Sequence, residues 1–291
     1  MNLTPDSFSG DGLYQGSRLK ASATRRGGPA NLYGGQGSRI IDFVERLVRD
    51  GADVIDVGGE SSRPGAKAVP IKEELTRTIP AIKALAKKVK VPISIDTYKP
   101  EVARQALDNG AVIVNDITAL KNPKMAKIVA RYKAGVVIMH MKGDPRTMQK
   151  NPTYASLIDE IIEYLDKAIN VAIGRGIDRE KIIVDPGIGF GKTLGHNLEI
   201  LKNLRELKIL GRPILVGPSR KSFIGKILNV EPRERIFGPS ATLEDHGERS
   251  RTIGSVSSCV LAAENGANIV RVHDVLEVKQ ALKVADATLN C

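Results

Sequence analysis

Tryptophan is absent from this 291-residue chain, aromatics make up only 4% of it, and there are only two cysteines. Each shortage excludes something. Cys259 sits in a stretch of helical character and Cys291 is the last residue, which suits neither a disulfide framework nor a zinc-ligand spacing. No apolar run approaches the ~20 residues of a membrane span, and no charged-then-apolar leader suggests export. The cytoplasm is therefore the expected location. Acidic residues are also in deficit: 44 Lys and Arg against 33 Asp and Glu give a formal net charge of +11. Such an excess suits nucleic-acid phosphates. With few aromatics and no nucleic-acid motif, it reads better as one basic segment plus an anionic substrate. Residues 17–39 alone hold five basic residues and no acidic one.

What is present is a 42% hydrophobic content, enough for a sizeable core, and a rhythm that repeats from residue 38 onward. A short apolar run ends in polar residues, a loop follows, and then comes a stretch of helical period. The runs are "DVIDVGG" (53–59), "VPISID" (91–96), "AVIVND" (111–116), "GVVIMH" (135–140), "IIVDPG" (182–187), "PILVG" (213–217) and "NIVRVHD" (268–274). They are β-branched and nearly continuous, as in strands buried on both faces of a parallel sheet. Leu75, Ile79, Ile82 and Leu85 mark one amphipathic helix between runs, and Leu157, Ile161, Leu165 and Ile169 mark another.

Alternating β and α without a composition break predicts one α/β domain over 1–291. A (β/α)8 barrel is the expected architecture, since each run ends in the polar residues that barrels keep at strand C-termini. A doubly wound sheet is the rival, but its Gly-rich turn after the first strand is missing. Seven strands are visible and the eighth would lie before Asn2, so the first strand is expected to be largely missing. Two polar stretches, 17–37 and 237–251, read as mobile loop insertions.

Chemistry concentrates at the strand ends. "DPGIGFGKT" (185–193) is not a phosphate-binding P-loop, because Pro186 stands where that motif needs its first Gly. It reads instead as a strand delivering Asp185 to a Gly-rich loop that leaves Phe190 open. Asp96, Asn115, Asp116 and Asp56 sit at or near other strand ends. Singly they could cap helices. Together they can read a flat nitrogen heterocycle through paired ring N–H and amino groups. A metal cluster is the second use, although no two His fall at ligand spacing. Cations form another set: Arg63 after Ser61 and Ser62, Arg220 and Lys221 after Ser219, and Arg271 with His273. Arg and Lys beside hydroxyls and Gly backbone suit a phosphate or diphosphate, with Arg220 or one of the others expected to be merely solvated. His140, between two Met, reads as a core residue as readily as a ligand, and His196 as a helix cap. Met139 suits either a core gap or an aromatic ligand.

These motifs run in a familiar order: "NLTPDSFS", "IDVGGESSRPGA", "ISIDTYKPEVA", "VNDI", "VIMHMKGDPRTMQ", "DPGIGFGKTLGHN", "GPSRKSFIG" and "RVHDV". The chain resembles the dihydropteroate synthases of the pterin-binding barrel superfamily. The resemblance implies condensation of 4-aminobenzoate with 6-hydroxymethyl-7,8-dihydropterin diphosphate, giving 7,8-dihydropteroate and diphosphate in folate biosynthesis. It implies that Asp96, Asn115, Asp185 and Lys221 hold the pterin, with Met139 and Phe190 nearby. Ser62, Arg63, Arg271 and His273 would take the diphosphate, and Asn2 would help hold its Mg2+. Ser219, Phe190 and Pro64 would line the 4-aminobenzoate site. Lys221, Arg63, Arg271 and His273 are the expected catalytic residues, in a dissociative reaction without a covalent enzyme intermediate. A homodimer is also implied. The alternatives are another pterin-binding barrel, such as a folate/corrinoid methyltransferase, and a pterin-binding protein with weak catalysis.

Some positions depart from the family pattern. Ser62 stands where Thr is common, and Pro218 where a small or β-branched residue is usual. The family strand that normally runs into "NLTPDSFS" is absent. A native start further upstream, or a truncated and impaired form, is therefore expected. Full activity from an endogenous product whose mass matches a Met1 start would sink that expectation.

Overall fold

The computed structural model describes residues 36–62, 65–145, 147–230 and 241–289, leaving aside the side chains of 36–38 and 241–246. The first loop with Asn2, the residues Arg63 and Pro64, and nearly all of 17–37 lie outside the described residues. So does the question of a first strand.

All seven apolar runs are strands: β1 (Ile55–Gly58), β2 (Ile93–Asp96), β3 (Ile113–Asp116), β4 (Gly135–Met139), β5 (Ile182–Asp185), β6 (Leu215–Val216) and β7 (Ile269–Val270). Helix α1 (Gln36–Arg49) precedes β1. After each strand comes helical chain: α2 (Ile71–Leu85), α3 (Pro100–Asp108), α4 (Pro123–Tyr132), α5 (Leu157–Gly174), α6 (Leu194–Lys202), α7 (Ser222–Leu228) with α8 (Ala241–Glu264), and α9 (Val275–Leu289). The helical periods drawn from sequence fall on α2 and α5. Ile82, Leu85, Ile161, Leu165 and Ile169 are wholly buried there, each contributing about 1.5–3 kcal/mol.

Every pairing is parallel and follows chain order. β1 to β5 form one sheet and β6 with β7 another, and a single bridge between Val184 and Ile214 joins the two. Strand order without reversal argues against a doubly wound sheet. Closure is shown by a distance. In a flat seven-strand sheet β1 and β7 would stand ~29 Å apart at ~4.8 Å per strand. Arg271, just past β7, nevertheless bonds Asp56 of β1 at 2.6 Å and Asp96 of β2 at 2.9 Å. The strands therefore curl around a barrel axis, with α-helices outside, as expected of the (β/α)8 architecture.

One expectation fails. Residues 241–251, read as part of a mobile insertion, form the first turns of α8. Helix-favouring Ala, Leu, Glu and Arg are frequent there, and Arg251 donates to the Val230 carbonyl at 3.2 Å. Residues 231–240 lie outside the described chain.

Candidate active site

Strand register lines up the site. In the parallel ladder Gly58 pairs with Asp96, Asp96 with Asn115, and Met139 with Asp185, so these residues share the C-terminal rim. On one flank a single guanidinium serves two carboxylates. Arg271 Nε donates to Asp56 Oδ2 and Arg271 Nη2 to Asp96 Oδ2, while Asn115 Nδ2 donates to Asp56 Oδ2 at 3.2 Å. Burial works to protonate Asp56, but Arg271 and the Ser94 hydroxyl outweigh it and hold the carboxyl below its usual 3.8. Asp96 receives less help. Burial, with the repulsion of Asp56 added, overcomes Arg271 and pushes its carboxyl up to about 7.

On the other flank, burial dominates. Asp185 accepts the Gly187 N–H at 2.7 Å, yet burial raises its pKa. Lys221 Nζ donates to the Ile188 carbonyl and lies 4.3 Å from the centre of the Phe190 ring. Burial lowers this ammonium to about 8. Gly187 is indispensable to the turn. Its φ is +71°, and a Cβ there would lie 2.0 Å from the His140 carbonyl oxygen. Met139 and Phe190 pack with Ile117, Met141 and Met148 into a small apolar cluster, against which Tyr98 rests. Phe190, expected to be open, is buried.

Ser219 and His273 are joined, Oγ to Nδ1 at 3.0 Å, and the His273 N–H also donates to Ser219 Oγ at 3.2 Å. Ser62 is half-buried in the loop after β1. The structure thus brings together Asp96, Asn115, Asp185, Lys221, Met139, Phe190 and Arg271, with Ser219 and His273 paired beside β6 and β7. Arg63 and Asn2 lie outside the described residues.

Two neighbours are structural. Asp116 turns away to accept from Thr118 N, Thr118 Oγ1 and Leu120 N, and so pins a turn where Ala119 and Leu120 both have positive φ. Arg220, itself at φ +54°, pairs with Asp274 and is fixed through its N–H to Ser255 Oγ. His140 and His196 take the roles of core residue and cap. His140 meets the Tyr164 ring edge-on at 4.9 Å, and His196 forms a capping box with Thr193.

The matches to known proteins follow this geometry. The family described as pterin binding enzyme matches residues 31–273. The Synechocystis dihydropteroate synthase is 44% identical over 99% of this chain and 88% of its own. That of Escherichia coli K12 is 41% identical, covering 100% of this chain and 90% of its own. A Yersinia pestis dihydropteroate synthase solved with a sulfonamide drug superposes with a TM-score of 0.85 at 37% identity, over 100% of this chain and 92% of that one.

The chain belongs to the dihydropteroate synthase family.

It is accordingly a transferase of folate biosynthesis, and the condensation implied by the motifs is its reaction. A Xanthomonas albilineans family member was solved with 4-aminobenzoic acid, at a TM-score of 0.77 and 39% identity, covering 88% of this chain and 86% of that one. Three further residues beside the site carry no motif of their own. Lys192 is 3% exposed, donates to the Phe190 carbonyl at 3.0 Å and meets His140 Nδ1 at 2.9 Å. A Lys inside a Gly-rich strand-end loop is a usable signal even where the P-loop pattern fails. Lys99 and Glu60, described below, also follow strand ends directly.

Proposed function

We propose that this rim binds the dihydropterin between its two flanks and the diphosphate at its cationic edge. The observation that supports the reading best is the convergence of Asp96, Asn115 and Asp185 on one rim, beside the Lys221 ammonium. Burial outweighs the partners that these two carboxyls already have, so each gains by accepting from the paired N–H and amino donors of a pterin. Asn115 supplies an amide, Lys221 a donor to a ring carbonyl, and Met139 with Phe190 an apolar wall.

Arg271 would leave Asp96 for the diphosphate, baring that carboxylate to the pterin as it neutralises the leaving group. His273, Ser62 and Arg63 complete the anion site, and Ser219, Phe190 and Pro64 face the 4-aminobenzoate. The C–O bond to the diphosphate breaks with its electron pair on oxygen. The arylamine lone pair then forms the new C–N bond, and the nitrogen proton passes to solvent. Lys221, Arg63, Arg271 and His273 act by stabilising charge in this step rather than by covalent attachment.

Among the described residues no group of three His, Cys, Asp or Glu forms a metal site, and Asp56 and Asp96 are engaged by Arg271. Asn2, outside the described residues, would help hold a Mg2+ that comes with the substrate's diphosphate, because Mg2+ usually keeps few protein ligands. When bound it would neutralise charge on the leaving diphosphate.

A homodimer is supported by apolar residues left outside on the last two helices: Leu261, Val284 and Leu289 are 51%, 69% and 59% exposed. No helix among the described residues is long and apolar enough to cross a membrane. A diphosphate-bearing substrate does not cross one unaided, which favours the cytoplasm. Diphosphate release from the pterin diphosphate, with and without 4-aminobenzoate and Mg2+, tests the reading. Release that needs both additions is expected. Pterin binding without release would indicate a binding protein instead.

A further inference from the structure

Outside the rim lies a buried charged cluster that the reaction does not use. Lys99, just before α3, extends its ammonium to Glu60 Oε2, to Glu74 Oε2 and, at 2.6 Å, to the Val69 carbonyl. Glu74 is 1% exposed and also accepts from Thr97 Oγ1 at 2.7 Å. Glu60 accepts the Val69 N–H at 2.8 Å and the Tyr98 hydroxyl at 2.7 Å. Both backbone groups of Val69 are therefore taken, one by Glu60 and the other by Lys99. Glu60 and Val69 are the two ends of the loop 61–68, which carries Ser62 and Arg63. One ammonium closes the neck of that loop and fastens it to α2 and α3.

The cluster also touches the pterin side. Tyr98 donates to Glu60 through its hydroxyl, while its ring packs on the cluster containing Met139 and Phe190. An ion group this buried is weak evidence for stability, since apolar replacements often do as well. Its geometry does something an apolar cluster cannot: it ties the Glu60 side chain at one end of the loop to both backbone groups of Val69 at the other.

We propose that Lys99, acting with Glu60, is a positioning residue that holds loop 61–68 at the distance where its side chains meet the diphosphate. The proposal rests on the assignment of that loop to the diphosphate. The test compares affinity for 6-hydroxymethyl-7,8-dihydropterin diphosphate with affinity for the same pterin lacking the diphosphate, in wild type, Lys99→Met and Glu60→Gln. Lys99→Met leaves two carboxylates buried and can fail to fold. Glu60→Gln keeps the Lys99–Glu74 pair, so it decides alone in that case.

The expected result is a roughly tenfold loss of the preference for the diphosphate form, less than the ~10²-fold that a ~1 Å misplacement can cost. Affinity for the diphosphate-free pterin should stay at the wild-type value, and KM for the substrate should rise. Loss of folded protein alone would weaken both ligands equally, and that outcome overturns the proposal. So does a wild-type preference retained in a folded variant. A wild type with no preference between the two ligands would overturn the loop assignment beneath it.

Discussion

The two flanks of the rim handle buried charge in opposite ways. Beside β1, β2 and β7, Asp56 and Asp96 are offered a counter-ion, and one guanidinium is divided between them. Beside β5 and β6, Lys221 and Lys192 donate to neutral carbonyls, and burial lowers them to about 8 and about 7. Pairing keeps the charge on Asp56, whereas desolvation prevails at Asp96 and across the second flank. A paired flank can trade its partner for an incoming anion. A desolvated flank offers donors and acceptors that gain by finding a partner of any matching shape.

Breaking the paired flank should have the largest effect. Arg271→Met leaves Asp56 and Asp96 facing each other, and should cost about 2–3 kcal/mol by chemical denaturation, below the usual range because the Arg271 side chain is 39% exposed. Adding Asp96→Asn should restore most of that stability but none of the diphosphate release. If the double variant is no more stable than the single one, the shared-guanidinium account fails.

Asp96→Asn alone sharpens the contrast. Between pH 3.8 and about 7 the folded protein keeps a proton on Asp96 that the unfolded chain has lost, so stability falls as pH rises through that window. The variant should flatten this slope and melt higher at pH 8, by about 2–4 °C for each kcal/mol relieved. It should also bind pterin more weakly. An unchanged pH–stability curve would remove the premise.

On the desolvated flank the sign reverses. Lys192 is lowered from 10.5 to about 7, chiefly by burial, so the unfolded chain binds the extra proton between those values. Stability is lost as pH falls through that range, and Lys192→Met should reduce the slope to the part contributed by Lys221, lowered to about 8, while leaving the fold intact. His140, pushed down to about 3 by burial and the nearby Lys192 charge, adds a second loss as pH falls below 6.5. The smallest effect is local. Thr193→Ala removes the capping box of α6 and should cost about 1 kcal/mol, with little change in pterin affinity.

The barrel was legible because its evidence is local. Each strand is a β-branched run closed by a polar residue, and the runs at 53–59 and 268–274 announce themselves without their neighbours. The site was legible as a set of residue types at strand ends. Its pairing was not. Arg271 meets Asp56 from 215 positions away, Lys192 meets His140 from 52, and Arg220 meets Asp274 from 54. Nothing in a single sequence says which of several cations will face which carboxylate once a sheet has curled. The start of α8 was missed for another reason. Its polar composition lacks a clear apolar stripe, so helical character there had no periodic signal to display.

The single Val184–Ile214 bridge has a mechanical meaning. Along the β5–β6 edge one backbone contact does the joining that paired ladders do elsewhere. Ser219, Lys221, Arg271 and His273 all follow β6 or β7, whereas Asp96, Asn115, Met139 and Asp185 belong to the five-strand sheet. The barrel is thus two staves meeting at a thin seam, with Lys221, Arg271 and His273 mounted on one and Asp96, Asn115 and Asp185 on the other. Arg271, carried by one stave and bonded to Asp56 and Asp96 on the other, is the clasp across them, and any rotation about that seam has to break its two ion pairs.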